Sequence, residues 1–475
     1  MTAEMGRAAV DILPVLILVS GAIILIFYVM FVPRRLQASS AMGAVIVLGA
    51  TGFATGWYLG DAPGMTFFGT FAADRTWLWG TLIIVVVTVL TVALSVEWFQ
   101  TDSRQGEYYV LLLLSALGAV LLAGAVDLME FILAMLLSSV TGFTLAAFHR
   151  KSRAATEAGM KYYLLGALAN GAMAYGVALL FGLSGGTSFG DLRTGLIGAD
   201  PTAVVVAFGM VTIGIAFKLG AVPVHQWMPD VAEGSPAPAA AFLLVAGKVG
   251  ALIVLMRLAT VLPETVVGWR PLVAVIAAVT MTLGNLAALW QDDVRRMLGW
   301  SSVSQTGYGL LAVVAVGRSD LAIPSMLFFL AAYALGNMAA FAVVVSLRGL
   351  TSRESYRGLG STHPWLMGAL VVTFLSFVGI PPLGGFAAKL LLMGAVIESG
   401  YAWLAILTVI NSAISLFYYA RVMGPAYFET GAERRPLMGR LTFWAVGVAT
   451  VAVVAIGVVA QPLMEAWRAL VLLAG

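Results

Sequence analysis

Long apolar runs dominate the chain, and fourteen of them have the length of a membrane-spanning helix. A helical span needs about 20 predominantly apolar residues. The runs lie at residues 13–32, 41–60, 77–96, 108–126, 128–148, 160–183, 201–223, 238–262, 271–290, 297–317, 322–347, 365–399, 401–424 and 441–463. Because the connections are short and leave no room for a soluble domain, the pattern predicts an all-α, polytopic membrane protein with about fourteen transmembrane helices.

Proline and glycine interrupt this pattern in two places. The segment from Lys218 to Lys248, KLGAVPVHQWMPDVAEGSPAPAAAFLLVAGK, contains four prolines, each of which removes a backbone donor. The run at 365–399 is too long for one straight span and contains GIPPLGG at residues 379–385. Both segments are predicted to be broken helices. Irregular backbone at membrane depth is tolerated where it is buried in protein or lines a cavity, so it indicates an ion or substrate path.

Composition agrees with a membrane protein and excludes several classes of site. The chain is 61% hydrophobic and 10% charged, against about 25% charged in soluble domains. There are no cysteines, which excludes disulfides, iron–sulfur clusters and thiolate metal sites on this chain. The three histidines are scattered, so no metal site is expected. The N-terminus carries no pattern of a cleaved signal, and the first run is expected to be a permanent span.

The basic residues lie mainly in short loops, where positive charge sets membrane orientation. We therefore expect no nucleic-acid partner despite the net charge of +3. Loops after odd-numbered spans hold sixteen of the 26 Lys and Arg residues. The opposite side holds seven, namely Arg7, Arg75, Arg193, Arg257, Arg270, Arg318 and Arg468. This asymmetry predicts a bacterial inner-membrane protein with both termini on the periplasmic side.

The remaining three basic residues, Lys218, Lys248 and Lys389, fall within the spans. A buried cation is costly, so each is a candidate functional group. Arginine essentially never deprotonates in proteins, whereas a desolvated lysine can release its proton. Lysine inside and arginine in the loops is thus the distribution expected of a chain that passes protons. His225 follows the first break, and because histidine titrates near neutral pH it is a candidate relay.

The two interrupted segments occupy corresponding positions, which suggests an internal duplication. The segment with Lys218 is the fourth span of the block formed by spans 4–8, and the segment with Lys389 is the fourth of spans 9–13. The predicted organisation is three N-terminal helices (1–107), a first five-helix repeat (108–262), a second repeat (271–424) and a C-terminal helix (425–475).

Four segments resemble the antiporter-like membrane subunits of NADH-quinone oxidoreductase (respiratory complex I), a family whose fold is shared with Mrp-type sodium/proton antiporters. They are MKYYLLGALANGAMAYG (160–176), FKLGAVPVHQWMPDVAEGSPAPAAAF (217–242), DDVRRMLGWSSVSQTGY (292–308) and GIPPLGGFAAK (379–389). The resemblance implies fourteen helices, with the two five-helix repeats inverted relative to each other.

The same resemblance implies a row of proton-carrying residues along a central polar axis. By position they are Lys161, Lys218, His225, Lys248 and Lys389. It implies no cofactor on this chain; flavin, iron–sulfur clusters and quinone are expected on partner subunits. Protons would be driven by quinone reduction elsewhere in the complex, and the partners would be the other membrane-arm subunits and the lipid bilayer.

One position departs from the family. A glutamate is usual in the middle of the fifth helix, nine residues after the aspartate that corresponds to Asp127, and this chain has Leu136 there. The nearest acid is Glu130, about 9 Å back along a helix. Either Glu130 substitutes through water, or the channel is impaired and the chain is a structural membrane-arm subunit. An Mrp-type sodium/proton antiporter subunit is a further alternative.

Simpler structural roles are open for the other charged residues. Asp127 and Glu130 are expected near the end of their helix as interfacial acids or as members of the path. Lys161 is expected to pair with Glu157 four residues earlier. The charged stretch at 292–296 is expected to be a solvated loop. Asp230 and Glu233, in the first break, are expected to cap loops.

Overall fold

The computed structural model describes residues 9–264, 268–348, 350–431 and 439–474. Helices form most of this part of the chain. They are α1 (Leu13–Phe31), α2 (Ser40–Tyr58), α3 (Arg75–Trp98), α4 (Gln105–Gly124), α5 (Leu128–Ala146), α6 (Arg153–Ser184), α7 (Phe189–Gly195), α8 (Pro201–Leu219), α9 (Trp227–Gly234), α10 (Ala237–Leu243), α11 (Ala246–Val261), α12 (Trp269–Ala288), α13 (Val294–Ala315), α14 (Ala322–Ser346), α15 (Leu359–Thr362), α16 (Pro364–Val378), α17 (Gly384–Glu398), α18 (Ala402–Phe428), α19 (Arg440–Val458) and α20 (Ala460–Trp467).

Short elements complete the described chain. An antiparallel hairpin, β1 (Gly64–Thr66) and β2 (Phe71–Ala73), lies between α2 and α3. Short 3₁₀ turns lie at Arg34–Ser39, Phe67–Gly69 and Arg353–Tyr356. Of the basic residues used to predict orientation, Arg7, Arg434 and Arg435 lie outside the described ranges.

The predicted spans agree with the helices, and the exceptions have clear causes. Among the described residues, twelve helical segments are long and apolar enough to cross a membrane. The other two predicted spans are α13, which carries hydroxyl, amide and guanidinium side chains on its buried faces, and the broken pair α16 and α17, each 15 residues long. α6 begins seven residues before the predicted run because the hydroxyl of Ser152 accepts a hydrogen bond from Ala155 N and caps a polar first turn.

The first interruption follows from glycine and proline chemistry. α8 ends at Leu219, and Gly220 takes the left-handed conformation (φ 72°) that favours glycine. Ala221 N then donates to Ala216 O at 2.8 Å, closing the helix end. The chain resumes as the short α9 and α10. A further irregular turn at residues 244–245 separates α10 from α11.

The second interruption repeats the same terminating geometry. α16 ends at Val378, and Gly379 is again left-handed (φ 95°). Ile380 N donates to Leu375 O at 3.0 Å, the bond that corresponds to Ala221 N with Ala216 O. The helix resumes at Gly384. Both breaks therefore lie where proline and glycine predicted them.

Arg257 is not in a loop, as the orientation count assumed, but is fully buried in α11. Its guanidinium binds Asp74 through two hydrogen bonds of 2.7 and 2.8 Å and donates to Ala123 O at 3.0 Å. Leu473 N also donates to Asp74, at 3.0 Å. The prediction for Arg257 was wrong because a guanidinium is stable in the interior when it is paired with a carboxylate and most of its donors are used; four of the five N–H donors of Arg257 form hydrogen bonds here.

Arg270 is likewise buried, at the start of α12, with its guanidinium 4.4 Å above the ring of Trp269. Its partner is Glu264, which also binds Arg318 at 2.7 Å. Partial burial of Glu264 favours its neutral form, but hydrogen bonds and charge from the two arginines outweigh this and lower the pKa of the carboxyl. Arg257 and Arg270 therefore connect helices rather than lie free in loops.

Candidate functional site

The structure buries all three lysines predicted inside the spans. The exposed fractions of Lys218, Lys248 and Lys389 are 4%, 2% and 5%. Each lies beside a helix interruption: Lys218 in the last turn of α8, Lys248 in the first turn of α11, and Lys389 in the second turn of α17. None snorkels to solvent, the alternative fate of a lysine near a helix end.

The ammonium of Lys218 has no hydrogen bond or ion pair with any described residue. Its side chain lies against the backbone of α11: a Cβ placed on Gly247 would be 2.7 Å from the Lys218 Cε and 3.6 Å from its Nζ. Only glycine at 247 allows this approach. Lys218 therefore packs directly beside the residue that precedes Lys248.

Neutral donors cap the end of α8 around Lys218. The indole Nε1 of Trp227 donates to Phe217 O at 2.9 Å, and the hydroxyl of Thr306 donates to Leu219 O at 2.6 Å. Terminal helix carbonyls need such donors when they are buried. Lys218 is thus not needed to satisfy the backbone at this break.

Lys248 is held by α13. Its Nζ donates to the carbonyl and hydroxyl oxygens of Ser302 at 2.6 and 2.7 Å. The ring of Tyr333 lies 5.1 Å from the ammonium, and the phenol of Tyr333 forms a 2.6 Å hydrogen bond with the Ser302 hydroxyl. Lys248, Ser302 and Tyr333 form a continuous polar cluster in the buried interior.

Lys389 makes three hydrogen bonds across the second break. Its Nζ donates to Phe377 O at 2.8 Å, to Val378 O at 3.1 Å and to the Ser412 hydroxyl at 2.9 Å. The first two acceptors are the terminal carbonyls of α16. The ring of Tyr308 lies 4.2 Å from the ammonium. A cation at a helix C-terminus is favourable, because the exposed carbonyls carry partial negative charge.

A narrow internal space joins the Lys248 cluster to Lys389. Tyr333 and Lys389 both line a cavity of about 10 Å³, together with Gln305 and Ser376. That volume is close to the smallest that holds one water molecule. Polar groups thus follow one another from Lys248 through Ser302 and Tyr333 to Lys389.

His225 lies in the first break, 7% exposed, with its ring 5.5 Å from Trp300. Its Nδ1 is buried and has no hydrogen-bond partner among the described residues. The structure therefore places His225 in the interior beside α13. It forms no direct hydrogen bond with the three lysines.

Lys161 lies apart from this buried row, about half exposed. It pairs with Glu157 at 2.8 Å, as the sequence predicted, and with Asp230 at 3.1 Å. Arg296 binds Asp230 and Glu233 at 2.6 and 2.7 Å. The expectation that Asp230 and Glu233 only cap loops was wrong: both lie in α9 and tie it to α6 and α13.

The expectation of a solvated loop at 292–296 was also wrong for its arginines. Arg295 is 8% exposed; its Nε donates to Ala232 O at 2.8 Å and its Nη2 to Ser235 O. These bonds hold the end of α9 against α13. Sequence reasoning missed this role because a run of charges does not reveal which carbonyls it will meet after folding.

Glu130 lies far from the level of Lys218. Phe143 of the same helix lies 6.4 Å, centroid to centroid, from Phe217, the neighbour of Lys218. Glu130 precedes Phe143 by thirteen residues, about 20 Å along a helix. Its Oε2 is buried and unpartnered within the described chain. One bridging water does not span this distance, so Glu130 makes neither a direct nor a one-water contact with Lys218.

Leu136, the departure from the family pattern, is 39% exposed. A leucine at this position supplies no charge that could pair with the Lys218 ammonium. Asp127 caps α5, accepting hydrogen bonds from Met129 N and Glu130 N at 2.8 and 3.4 Å. Of the acids near the start of α5, Asp127 thus has a structural role.

A second buried polar cluster was not predicted. Asn285 donates to Asn411 Oδ1 at 3.1 Å and to the Tyr308 hydroxyl at 3.2 Å, and it accepts from the Tyr418 hydroxyl at 3.0 Å. Tyr308 also faces Lys389. The only sequence signal was the presence of two asparagines inside apolar runs.

Comparison with known proteins shows the family to which this chain belongs. A family model described as NADH:quinone oxidoreductase/Mrp antiporter, TM, matches residues 125–415, which contain all three buried lysines. The chain belongs to this family. It is 41% identical over 430 residues to the NADH-quinone oxidoreductase subunit N of Mycobacterium sp. (strain JLS), an alignment that covers 89% of this chain and 90% of the relative. The resemblance seen in the four sequence segments is confirmed.

Two solved structures have the same fold as this chain. A chain of respiratory complex I from Thermus thermophilus with bound aureothin superposes with a TM-score of 0.82 at 28% identity, covering 95% of this chain and 98% of that one. A chain of the Mrp complex from Dietzia sp. DQ12-45-1b superposes with a TM-score of 0.83 at 20% identity, covering 97% and 96%. The second likeness concerns the fold alone.

Proposed function

We propose that this chain is the antiporter-like, proton-translocating subunit N of a bacterial NADH-quinone oxidoreductase. One observation carries the proposal: Lys248, Ser302, Tyr333 and Lys389 form a buried polar line, and Lys218 lies against the helix that begins this line. Buried ammonium groups joined in this way are rare without a function in ion movement.

In this mechanism each lysine alternately holds and releases a proton. Lys218 exchanges its proton without disturbing a helix end, since neutral donors satisfy the end of α8. Lys248 passes charge to Tyr333 through the Ser302 hydroxyl, which both donates and accepts. The small cavity between Tyr333 and Lys389 takes one water that completes the line.

The role of the buried histidine and of the charged group at the edge follows from their positions. His225 is proposed as a relay at the first break, because histidine titrates near neutral pH and its buried Nδ1 has no hydrogen-bond partner among the described residues. Lys161 with Glu157, Asp230 and Arg296 lines a more open cavity of about 150 Å³ and is proposed to admit protons toward α9. Glu130, distant from Lys218, is proposed only as a proton-binding group at its own helix end.

We also propose how the helices are organised into repeats, how the chain is oriented in the membrane and which groups its partner subunits carry. The matching left-handed glycines at Gly220 and Gly379 support two five-helix repeats, 108–262 and 271–424, inverted relative to each other. The excess of basic residues in loops after odd-numbered spans supports periplasmic termini in the inner membrane. Flavin, iron–sulfur clusters and quinone belong to partner subunits in this proposal, and quinone reduction there drives the protons here.

The test uses the intact complex in sealed vesicles. Lys218→Ala and Lys389→Ala are each expected to reduce the NADH-driven pH gradient severalfold, because each removes a proton carrier, while the complex still assembles. Arg193→Ala, which changes an exposed cation on α7, is the control and should pump normally. NADH oxidation by each variant is also measured with an uncoupler present. Normal oxidation in a variant that pumps less shows that the complex has assembled and that only proton movement is impaired. Full pumping in both lysine variants would remove this chain from the proton path.

A second candidate is a structural membrane-arm subunit without its own channel. It is favoured by the lack of an acidic partner for Lys218 among the described residues. It predicts normal pumping per electron in all lysine variants. An Mrp-type sodium/proton antiporter would instead show activity that depends on a sodium gradient and not on NADH and quinone.

A further inference from the structure

A basic pocket lies at one end of the helices, away from the buried lysines. Four interhelix connections line it: those after α1, α3, α5 and α14. Its volume is about 580 Å³, within the range of pockets that enclose small ligands. All four connections follow odd-numbered spans, so they lie on the side rich in basic residues.

The pocket has a large excess of positive charge. Its lining contains five cationic side chains and one carboxylate; the cations are Arg34, Arg104, Arg150, Lys151 and Arg348, and the carboxylate is Asp102. Asp102 is already engaged with Arg104, accepting from its backbone N at 2.9 Å and lying 4.0 Å from its Nε. The other four cations form no ion pair with any described residue. Such a cluster favours a bound anion.

An unused hydrogen-bond donor lies in the wall of the pocket. Trp98 lines it, and the indole Nε1 of Trp98 is buried without a partner in the described chain. A buried donor without an acceptor is costly, so the pocket favours a ligand with acceptor oxygens. Arg348 lies 4.8 Å above the same indole ring, which positions its charge beside the donor.

His149 adds neutral hydrogen-bonding capacity rather than charge. Partial burial lowers the pKa of its imidazole, the charges of Arg348 and Arg104 lower it further, and Asp102 opposes them. At neutral pH the ring is therefore uncharged. It complements the cations without adding to their mutual repulsion.

Apolar surface adjoins the pocket. α1 ends at Phe31, three residues before Arg34, and Phe31 and Met30 are 81% and 68% exposed. Side chains of this kind at the end of a transmembrane helix contact acyl chains. The pocket thus combines a phosphate-binding cation cluster with neighbouring lipid-facing surface, at the depth where lipid headgroups lie.

We propose that this basic pocket binds the phosphodiester headgroup of an anionic phospholipid. Arg150, Lys151 and Arg348 supply charge-assisted hydrogen bonds to the phosphate oxygens, the Trp98 indole donates one more, and the acyl chains lie along α1 near Phe31. The inference does not depend on the proposed proton path, because it concerns a different end of the molecule.

The experiment measures lipid binding to the purified intact complex. Labelled phosphatidylglycerol is titrated against wild type, Arg348→Gln and the double variant Arg150→Gln/Lys151→Gln, with labelled phosphatidylcholine as the neutral lipid. Each lost charge-assisted contact is expected to weaken phosphatidylglycerol binding by about tenfold. Arg35→Gln is the matched control: Arg35 is exposed, adjacent to Arg34, and not part of the lining.

Three outcomes overturn the proposal. Unchanged phosphatidylglycerol affinity in both variants removes the site. A second contrary result has two parts: millimolar inorganic phosphate displaces phosphatidylglycerol, and the complex binds phosphatidylglycerol no more tightly than phosphatidylcholine. That result identifies a site for free phosphate. A photocrosslinker at Ser103 that captures only an acidic segment of a neighbouring subunit, unaffected by added phosphatidylglycerol, identifies a protein interface. Because the readout is binding, none of these outcomes depends on pumping.

Discussion

The two broken helices end in the same way but use their lysines differently. At the first break, Trp227 and Thr306 satisfy the last carbonyls of α8, and the ammonium of Lys218 is unpaired. At the second break, Lys389 itself donates to the last carbonyls of α16. The first lysine is therefore separable from the helix end, whereas the second is part of it.

This difference has a consequence for proton exchange. An ammonium has three N–H donors, and Lys389 uses them on three acceptors. A neutral amine has two N–H donors and a lone pair, so after deprotonation Lys389 keeps both carbonyls only if the Ser412 hydroxyl reverses its hydrogen bond and donates to the amine. Deprotonation of Lys218 changes no hydrogen bond. Proton release is thus coupled to the conformation of the second break but not of the first.

The largest expected effect is a difference in protein stability between replacing Lys389 and replacing Lys218. Lys389→Met keeps the aliphatic stem but leaves Val378 O without its donor and Phe377 O with only the 3.4 Å hydrogen bond from Gln305 Nε2, and we expect a loss of about 2 to 4 kcal/mol. Lys218→Met removes an unpaired buried charge and is expected to be neutral or stabilising. The thermal midpoint of the purified complex, followed through dissociation of this subunit, measures both.

Equal destabilisation by the two methionine variants would contradict the conclusion that Lys389, but not Lys218, stabilises the end of its broken helix. Lys389→Gln is a useful further variant, because its amide can still donate to one carbonyl and should recover part of the stability. Pumping is expected to fall in all three, so stability and not activity is the informative readout.

A smaller effect tests the neutral cap of the first break. Thr306→Val is nearly isosteric and leaves Leu219 O without its 2.6 Å donor, which we expect to cost about 1 kcal/mol. In this variant the Lys218 ammonium is the nearest cation on the same helix end. The double variant Thr306→Val/Lys218→Met should therefore lose more than the two single effects together.

Additive behaviour in that double-mutant cycle would show that Lys218 does not replace the lost donor. Thr450→Val in α19 is the control, because the Thr450 hydroxyl bonds only to Val446 O of its own helix. Its effect should be within about 0.5 kcal/mol of zero.

The smallest expected effect on stability concerns the contact between Lys218 and Gly247 of α11. Gly247→Ala places a Cβ 2.7 Å from the Lys218 Cε. The flexible stem can move, and alanine favours the helix, so stability should change by less than about 1 kcal/mol. Pumping should fall because Lys218 is displaced from α11. Gly209→Ala in α8, where no atom lies within 4 Å of the added Cβ, should pump normally.

Sequence reasoning was most successful where a residue acts through its own backbone. The glycines and prolines at 220–223 and 379–382 interrupt a helix through their own backbone chemistry, so both breaks could be predicted. It was least successful for side chains whose partners are distant in sequence: Arg257 meets Asp74 across 183 positions, and Arg295 meets Ala232 across 63. Counting both arginines as loop residues followed from treating them as isolated charges.

The sequence by itself determined that this chain spans a membrane, where its helices are interrupted, and that three lysines lie among apolar residues. These properties depend on local hydrophobicity and on the backbone chemistry of glycine and proline. Only the tertiary structure decided which lysine is free, which one caps a helix, and that Glu130 lies far from Lys218. Hydrogen-bond partners depend on packing between helices, because donors and acceptors from separate segments meet only after the helices have assembled.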